Sequence, residues 1–277
     1  MLPPREMKNE EMNCRKGDPE GLANGISHFS FLISHYLKKH GFEAFCPKAV
    51  LFDMDGVLYD SMPNHAIAWQ QSMAKFGIRM TQADAYATEG ARGVDTIRKM
   101  VKVQQGRDID EAEAQMMYDE KTRQFHALPK PPVMPGILKL MAQIQADGLT
   151  IGVVTGSGQR PLIKRLMNDF CGFLDENHIV TAYDVKHGKP NPDPYLMGLQ
   201  KVGNLNPWEA IVVENAPLGV RAGVAARILT IAVNTGPLPD EVLLQAGADL
   251  IFDRMTDLSH DWRNIYTPSS SSSSSSS

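Results

Sequence analysis

Five short, largely apolar segments, each followed by a polar residue, constrain the fold more than any other feature of the sequence. They lie at residues 49–52, 149–154, 211–213, 228–233 and 250–252. Because apolar and polar residues do not alternate in them, they are typical of strands buried on both faces of a parallel sheet. Helical patterns lie before the second segment, at 135–148, and between the later segments, at 159–170, 192–203, 217–226 and 239–247. The sequence therefore predicts a doubly wound, Rossmann-like parallel sheet in an α/β domain.

The interval between the first two strands is much longer than the others. Between residues 58 and 149 the chain has no further buried segment, and the helical patterns at 63–77, 94–105 and 110–128 fill most of it. An insertion of this length and composition predicts a separate all-helical cap domain. We therefore expect a core domain over 48–62 and 132–268, and a cap domain over 63–131.

The two ends of the chain differ from its central part. Five apolar residues recur at helical spacing near the start: Ile26, Phe29, Ile33, Tyr36 and Leu37. They predict a short amphipathic helix within a partly disordered N-terminal extension, residues 1–47, which is either a docking arm or, as we favour, a packed appendage. The nine serines at 269–277 cannot bury apolar surface, so we expect a disordered tail there.

Composition excludes several classes of function. With 28 Lys and Arg against 32 Asp and Glu, the net charge is −4, which argues against a nucleic-acid partner. No apolar stretch near the start approaches the roughly 20 residues of a membrane span, and none resembles a signal peptide, so we expect a cytoplasmic protein. The three cysteines form no Cys-x-x-Cys pair, which predicts neither a disulfide framework nor a zinc site. The oligomeric state stays open, and a monomer is compatible with the sequence.

The polar residues that follow the apolar segments include Asp53, Thr155, Glu214 and Asn215. In an open α/β sheet the ligand site lies outside the carboxyl ends of the strands, so we expect these side chains to share one crevice. Asp53 and Asp55, two residues apart on an extended segment, point to the same side. Such a pair suits a nucleophile and a general acid/base shielded by a divalent cation, or simply a Mg²⁺ or Ca²⁺ site.

Four motifs resemble those of the haloacid dehalogenase-like (HAD) phosphatase superfamily. They are Phe-Asp-Met-Asp-Gly-Val at 52–57, Thr-Gly-Ser at 155–157, Gly-Lys-Pro-Asn-Pro at 188–192, and Val-Glu-Asn-Ala-Pro-Leu-Gly at 213–219. They occur in the order of that family and, together with the helical insertion, cover about residues 48–260. The resemblance implies a Mg²⁺-dependent phosphohydrolase that acts on a small anionic phosphate substrate.

The resemblance also implies a role for each matching residue. Asp53 is expected to be the nucleophile that forms an aspartyl-phosphate, and Asp55 the general acid/base. Lys189 is expected to offset the negative charge of the transferring phosphoryl group. The oxygens of that group are expected to bind residues of the second motif, namely Thr155, Gly156 and Ser157. Mg²⁺ is expected to bind the Asp53 carboxylate, the Asp55 main-chain carbonyl, and Asn215 or Glu214 of the fourth motif.

Two departures from the family pattern bear on the substrate. The fourth motif has Glu214 and Asn215 where most relatives have two acids; an Asn oxygen can bind Mg²⁺ but brings no charge. In the cap, the pair His65 and Trp69, four residues apart on one predicted helix, resembles the β-phosphoglucomutase-like branch, but Glu89 stands where the mutase has a lysine. A carboxylate there would repel a second phosphate of a sugar, yet it could complete a Mg²⁺ shell over a small anion. Arg92, in the same loop, is a candidate for contacting that anion.

These features resemble the inorganic pyrophosphatase branch of the superfamily. The matching segments are Asp-Ser-Met-Pro-Asn-His at 60–65, Glu-Gly at 89–90 and Glu-Asn-Ala-Pro-Leu-Gly-Val at 214–220. The resemblance implies hydrolysis of pyrophosphate to two phosphates. The alternatives are a sugar-phosphate phosphatase or β-phosphoglucomutase, and a non-catalytic phosphate-binding module. Glu89 argues against the mutase, and the intact Asp53, Asp55, Thr155 and Lys189 argue against the non-catalytic module.

Overall fold

The computed structural model describes residues 15–16, 28–157 and 160–266, and its centre is a six-stranded parallel sheet. The strands of that sheet are β3 (Ala49–Phe52), β4 (Thr150–Val154), β5 (Ile179–Val180), β6 (Ala210–Glu214), β7 (Leu229–Val233) and β8 (Leu250–Phe252). Their spatial order is β5-β4-β3-β6-β7-β8, so β3 lies in the middle and the chain winds outward from it in both directions. The predicted doubly wound α/β fold is confirmed.

Helices cover both faces of the sheet. The helices of the core domain are α6 (Ile137–Ala146), α7 (Arg160–Asp169), α8 (Asp193–Lys201), α9 (Pro217–Ala225), α10 (Asp240–Ala246) and α11 (Met255–Ile265). Because alternate residues of a strand point to opposite faces, Val50 and Phe52 pack in a cluster with α6, α7 and α11, whereas Ala49 and Leu51 pack with α8 and α9. Both sets are fully buried, which explains why the strands read as unbroken apolar segments.

Four helices lie between β3 and α6 and form the cap: α2 (Met62–Ala74), α3 (Gln82–Ala87), α4 (Gly93–Gln105) and α5 (Glu111–Ala127). They enclose a hydrophobic cluster of their own that includes Trp69, Ile97 and Met117. The sequence patterns predicted three of these helices and missed α3, which has only six residues. The domain limits at 62/63 and 131/132 remain a prediction.

The described part of the N-terminal extension packs at the end of the sheet remote from the strand-end acids. Here α1 (His28–His40) joins the main core through Phe29, Ile33, Tyr36 and Leu37. The Tyr36 hydroxyl donates to the Arg227 carbonyl, 2.8 Å away, just before β7. The helical pattern thus faces the core, as in the packed-appendage interpretation. Ile26 and the serine tail lie outside the described residues.

The extension also contains a short antiparallel pair, β1 (Arg15–Lys16) with β2 (Ala44–Phe45). Cys46, directly after β2, is disulfide-bonded, which the number and spacing of the cysteines do not indicate. Disulfides are typical of oxidising compartments, and the cytoplasmic location stays a prediction. No helix in the described ranges has the length and apolar character that crossing a membrane requires.

Candidate active site

The strand-end residues meet at one edge of the sheet, as the sequence predicts. Asp53 follows β3, Thr155 follows β4, Glu214 ends β6 and Asn215 follows it; each is at most 7% exposed. β4, β3 and β6 are neighbours, so these side chains come from three adjacent strands. Asp53, Asp55 and Thr155 form the floor of a cavity of about 330 Å³ between core and cap.

Lys189 is held in this floor by oxygen atoms alone. Its ammonium donates to Asp53 Oδ1 at 2.5 Å, to Glu214 Oε1 at 2.6 Å and to the Val154 carbonyl at 3.2 Å. Burial alone would lower the pKa of Lys189, but Asp53 and Glu214 outweigh it and raise the pKa. Lys189 therefore stays charged, which is the form that can offset charge on a phosphoryl group.

Glu214 makes hydrogen bonds through both of its oxygens. Besides Lys189, Oε1 accepts from the Tyr195 hydroxyl at 2.7 Å, while Oε2 accepts the main-chain amides of Asn215 and Ala216 at 3.1 and 3.3 Å. A Cβ at Gly219 would lie 1.8 Å from Oε1, so the carboxylate fills the space that this glycine leaves. Because both carboxylate oxygens are already hydrogen-bonded, Glu214 has little freedom to bind a metal. Its contacts position the Lys189 ammonium instead.

Asn215 differs from Glu214 because its side-chain oxygen has no partner. Oδ1 is buried and makes no hydrogen bond, which in a native site calls for an unseen water or ion. The described residues contain no cluster of three His, Cys, Asp or Glu that could hold a metal. A Mg²⁺ site would have to combine Asp53 with Asn215 Oδ1 and a main-chain oxygen such as that of Asp55, an all-oxygen set that suits this ion. The residues present therefore fit Mg²⁺.

The second acid, Asp55, is oriented from the cap. Its Oδ1 accepts from Ser61 Oγ at 2.6 Å and lies 3.2 Å from His65 Nε2. Lys121 Nζ lies 2.8 Å from His65 Nδ1 and, as an ammonium, can only donate. We infer that Nδ1 accepts and that Nε2 carries the proton donated to Asp55. Burial alone would raise the pKa of Asp55, but His65, Ser61 and Lys121 outweigh it and lower the pKa, which favours the carboxylate form that can accept a proton.

Lys121 is the site residue that the sequence analysis missed. It is 6% exposed on α5, and its ammonium lies 5.2, 5.8 and 5.3 Å from the ring centres of Trp69, Tyr118 and Phe125. Burial lowers its pKa, while Glu89 and Asp55 act in the opposite direction. A signal for it exists in the sequence: Lys121 falls on the stripe of α5 that otherwise buries apolar residues such as Met117.

The cap loop between α3 and α4 supplies the roof. Glu89 lines the cavity, and a Cβ at Gly90 would lie 3.2 Å from Lys189 Cδ, so the loop rests directly on Lys189. Gly156 and Ser157 also line the cavity, and a Cβ at Gly156 would lie 3.8 Å from the Gly90 carbonyl oxygen. Arg92 does not line the cavity: its side chain is 55% exposed, and its guanidinium lies 3.8 Å from Asp95 and 3.6 Å from Glu111. The anion contact predicted for Arg92 stays a prediction without support from this geometry.

Comparisons with known proteins agree with this arrangement. A family model described as haloacid dehalogenase-like hydrolase matches residues 47–227. Hexitol phosphatase A of Escherichia coli is 34% identical over 187 residues, which are 68% of this chain and 83% of that protein. Beta-phosphoglucomutase of Bacillus subtilis is 27% identical over 76% of this chain and 91% of its own length. A solved structure described as "Putative beta-phosphoglucomutase from Bacteroides vulgatus" is 51% identical with a TM-score of 0.82, covering 86% of this chain and 96% of that one.

Proposed function

Because the chain belongs to the haloacid dehalogenase-like hydrolases, in their β-phosphoglucomutase-like branch, we propose that it hydrolyses phosphate esters of small carbohydrates or polyols. The relatives named hexitol phosphatase A and beta-phosphoglucomutase support this substrate class. Pyrophosphate, which the sequence motifs favour, becomes the second candidate.

The proposed reaction has two steps. In the first, an oxygen of Asp53 attacks phosphorus, the bond from phosphorus to the ester oxygen breaks, and Asp55 in its protonated form gives that oxygen a proton. In the second, Asp55 takes a proton from water, the water oxygen attacks phosphorus, and Asp53 is released with inorganic phosphate. Lys189 and Thr155 hold the phosphoryl oxygens. Mg²⁺, when bound by Asp53, Asn215 and a main-chain oxygen, supplies further positive charge.

The cavity above Asp53 is the observation that carries the proposal. Its volume of about 330 Å³ falls at the lower end of the range of about 300–1,000 Å³ typical of small organic ligands. Its cap side presents the aromatic side chains of Trp69, Tyr118 and Phe125 beside the charged groups of Glu89 and Lys121. Aromatic surface has no use in binding a bare anion, whereas it suits the C–H faces of a sugar or polyol.

Glu89 is the specific observation that favours pyrophosphate. It places a carboxylate on the cavity wall, in the loop that rests on Lys189. A carboxylate there repels a second phosphate group unless a cation lies between them. If Mg²⁺ bridges Glu89 and a diphosphate, the same residue becomes a ligand. The two candidates therefore differ in what Glu89 does.

The experiment measures phosphate release by the full chain with Mg²⁺ from hexitol 6-phosphate, glucose 6-phosphate, β-glucose 1-phosphate and pyrophosphate. We expect kcat/KM for the best carbohydrate ester to exceed that for pyrophosphate by at least about tenfold, and Asp53→Asn to remove all turnover. The reverse ranking, with Glu89→Gln reducing pyrophosphate turnover most, would establish the second candidate. Conversion of β-glucose 1-phosphate to glucose 6-phosphate without phosphate release would identify a mutase, and absence of any turnover would contradict hydrolysis.

A further inference from the structure

One loop of the core domain contacts both the cap and the turn that follows the nucleophile, although the proposed mechanism does not use it. Residues 234–239, with the sequence Asn-Thr-Gly-Pro-Leu-Pro, join β7 to α10 at the edge of the sheet where Asp53 lies. The two prolines restrict the backbone. The Asn234 side-chain amide spans the loop by donating to the Leu238 carbonyl at 2.8 Å and to Asp240 Oδ1 at 2.6 Å. The two prolines and the Asn234 hydrogen bonds therefore restrict the conformation of the 234–239 loop.

Gly236 and Leu238 are the points where this loop meets the cap. A Cβ at Gly236 would lie 2.4 Å from both Cδ1 and Cε1 of Tyr86, so the tyrosine ring rests on the glycine backbone. Tyr86 belongs to α3 and is only 5% exposed. Leu238 packs against the hydrophobic cluster of the cap. The core thus projects a small hydrophobic anchor into the cap at α3.

Thr235 connects the 234–239 loop to the turn around Gly56, which follows Asp53. Its hydroxyl donates to the Gly56 carbonyl at 2.8 Å. Gly56 has a φ of +82°, and a Cβ there would lie 1.9 Å from Asn215 Nδ2, so this turn packs directly on the fourth motif. Two successive residues, Thr235 and Gly236, therefore touch the catalytic turn and the cap.

The position of Tyr86 in the chain decides what this contact controls. α3 ends at Ala87, and the cavity-lining residues Glu89 and Gly90 follow within three residues. Gly90 contacts Lys189. The packing position of Tyr86 therefore determines where the following cap segment lies above the reacting phosphoryl group. We infer that Tyr86 and Gly236 form a latch that positions the 88–91 segment over the catalytic lysine, with Tyr86 as a positioning residue for the proposed phosphoryl transfer, on which this inference rests.

Gly236→Ala is a clean perturbation of this latch. Gly236 does not have a positive φ, so alanine brings no backbone strain, but its methyl group would meet the Tyr86 ring at a distance that real contacts do not reach. The ring and the segment that follows it must then move away. A displacement of about 1 Å at groups that position a substrate can cost up to about 100-fold in rate. We expect kcat to fall roughly 10- to 100-fold with a smaller change in KM.

The test is a double-mutant cycle with Gly236→Ala, Tyr86→Ala and the double variant in the full chain, using the best substrate of the wild type. Each single variant should lose kcat, and the double variant should be no worse than Tyr86→Ala, because without the ring the added methyl group meets nothing. Leu244→Ala, on the exposed face of α10, is the matched control and should keep wild-type kcat. Losses that multiply in the double variant would overturn the inference.

Hydrogen–deuterium exchange of the same variants, without any ligand, supplies a readout that does not depend on the substrate. Exchange should accelerate in peptides covering 82–93 in both single variants and stay unchanged in α6 and α11. Wild-type exchange over 82–93 in both would overturn the inference even if the protein hydrolyses none of the substrates tested. If Gly236→Ala does not fold, Tyr86→Ala decides by the same two measurements. A wild type without turnover contradicts the proposed function, and normal exchange and kcat in the variants contradict the latch.

Discussion

Replacing Tyr195 by phenylalanine isolates one hydrogen bond in the buried charge cluster. The Tyr195 side chain is fully buried on α8, and its hydroxyl donates to Glu214 Oε1 at 2.7 Å. Its ring lies 5.1 Å from the Lys189 ammonium, and phenylalanine keeps that contact. The substitution therefore removes the hydroxyl and leaves the packing intact.

The expected loss of stability follows from the charge of the hydrogen-bond acceptor, Glu214. A hydrogen bond to a charged group contributes about 1.5–3 kcal/mol to stability. Glu214 keeps Lys189 and two main-chain amides, so its charge is not left unpaired and the loss should stay within that range. For a domain of this size about 1 kcal/mol shifts Tm by roughly 2–4 °C, so we expect Tm to fall by roughly 3–12 °C. We also expect kcat to fall, because Glu214 then competes more strongly with Asp53 for Lys189.

Urea denaturation measures the loss as a lower midpoint at an unchanged m-value. Tyr183→Phe is the matched control, since Tyr183 is 86% exposed and the same atom is removed at the surface. That control should stay within about 0.5 kcal/mol of wild type. If both variants have the same midpoint, the Tyr195 hydroxyl does not hold Glu214, and the explanation for the position of Lys189 is wrong.

Two further predictions concern groups around the site. Lys121→Met removes the hydrogen-bond donor to His65 but keeps an unbranched side chain among the aromatic rings. We expect kcat to fall roughly 10- to 100-fold, with Tm unchanged or higher because a buried charge is removed. A wild-type kcat would contradict the proposed orientation of Asp55 through His65. Asp169→Asn tests pH dependence: burial alone would raise the pKa of Asp169, but hydrogen bonds from Tyr59 and Arg165 outweigh it and lower the pKa. Its stabilisation is present above the unfolded pKa of about 3.9 and is lost as pH falls through the lower folded pKa. Thermal unfolding should show the advantage of wild type over Asp169→Asn at pH 7 shrinking below about pH 4, and a gap independent of pH would refute this account.

The sequence predicts the sheet well because a strand buried on both faces is an unbroken apolar segment, which is visible in the local sequence. β3, β4, β6, β7 and β8 lie at or within one residue of the predicted segments. β5 was missed because it has only two residues, Ile179–Val180, too few to show any pattern, and it exists through its pairing with β4. α3 was missed for the same reason, since six residues make fewer than two helical turns.

The active site is predictable to the extent that its residues follow strands. Asp53, Thr155 and Asn215 could be brought together from the sequence, because the carboxyl ends of neighbouring parallel strands share one edge. Lys121 could not, because its contact with His65 depends on the packing of α5 against α2, which joins residues 56 positions apart. Arg92 lies in the cap loop, but Glu111 at the start of α5 lies 3.6 Å from its guanidinium and outside the cavity, so its contact with an anion stays a prediction.

The charges of the floor explain why a neutral amide at Asn215 is compatible with binding a phosphate. Asp53, Asp55 and Glu214 bring three negative charges to this region, against the single positive charge of Lys189. A Mg²⁺ ion held by Asp53 and Asn215 would neutralise the remaining two. An aspartate in place of Asn215 would leave the loaded floor with an excess negative charge facing a dianion at short range, where the repulsion is poorly screened. The amide would keep an oxygen for the metal without adding that charge.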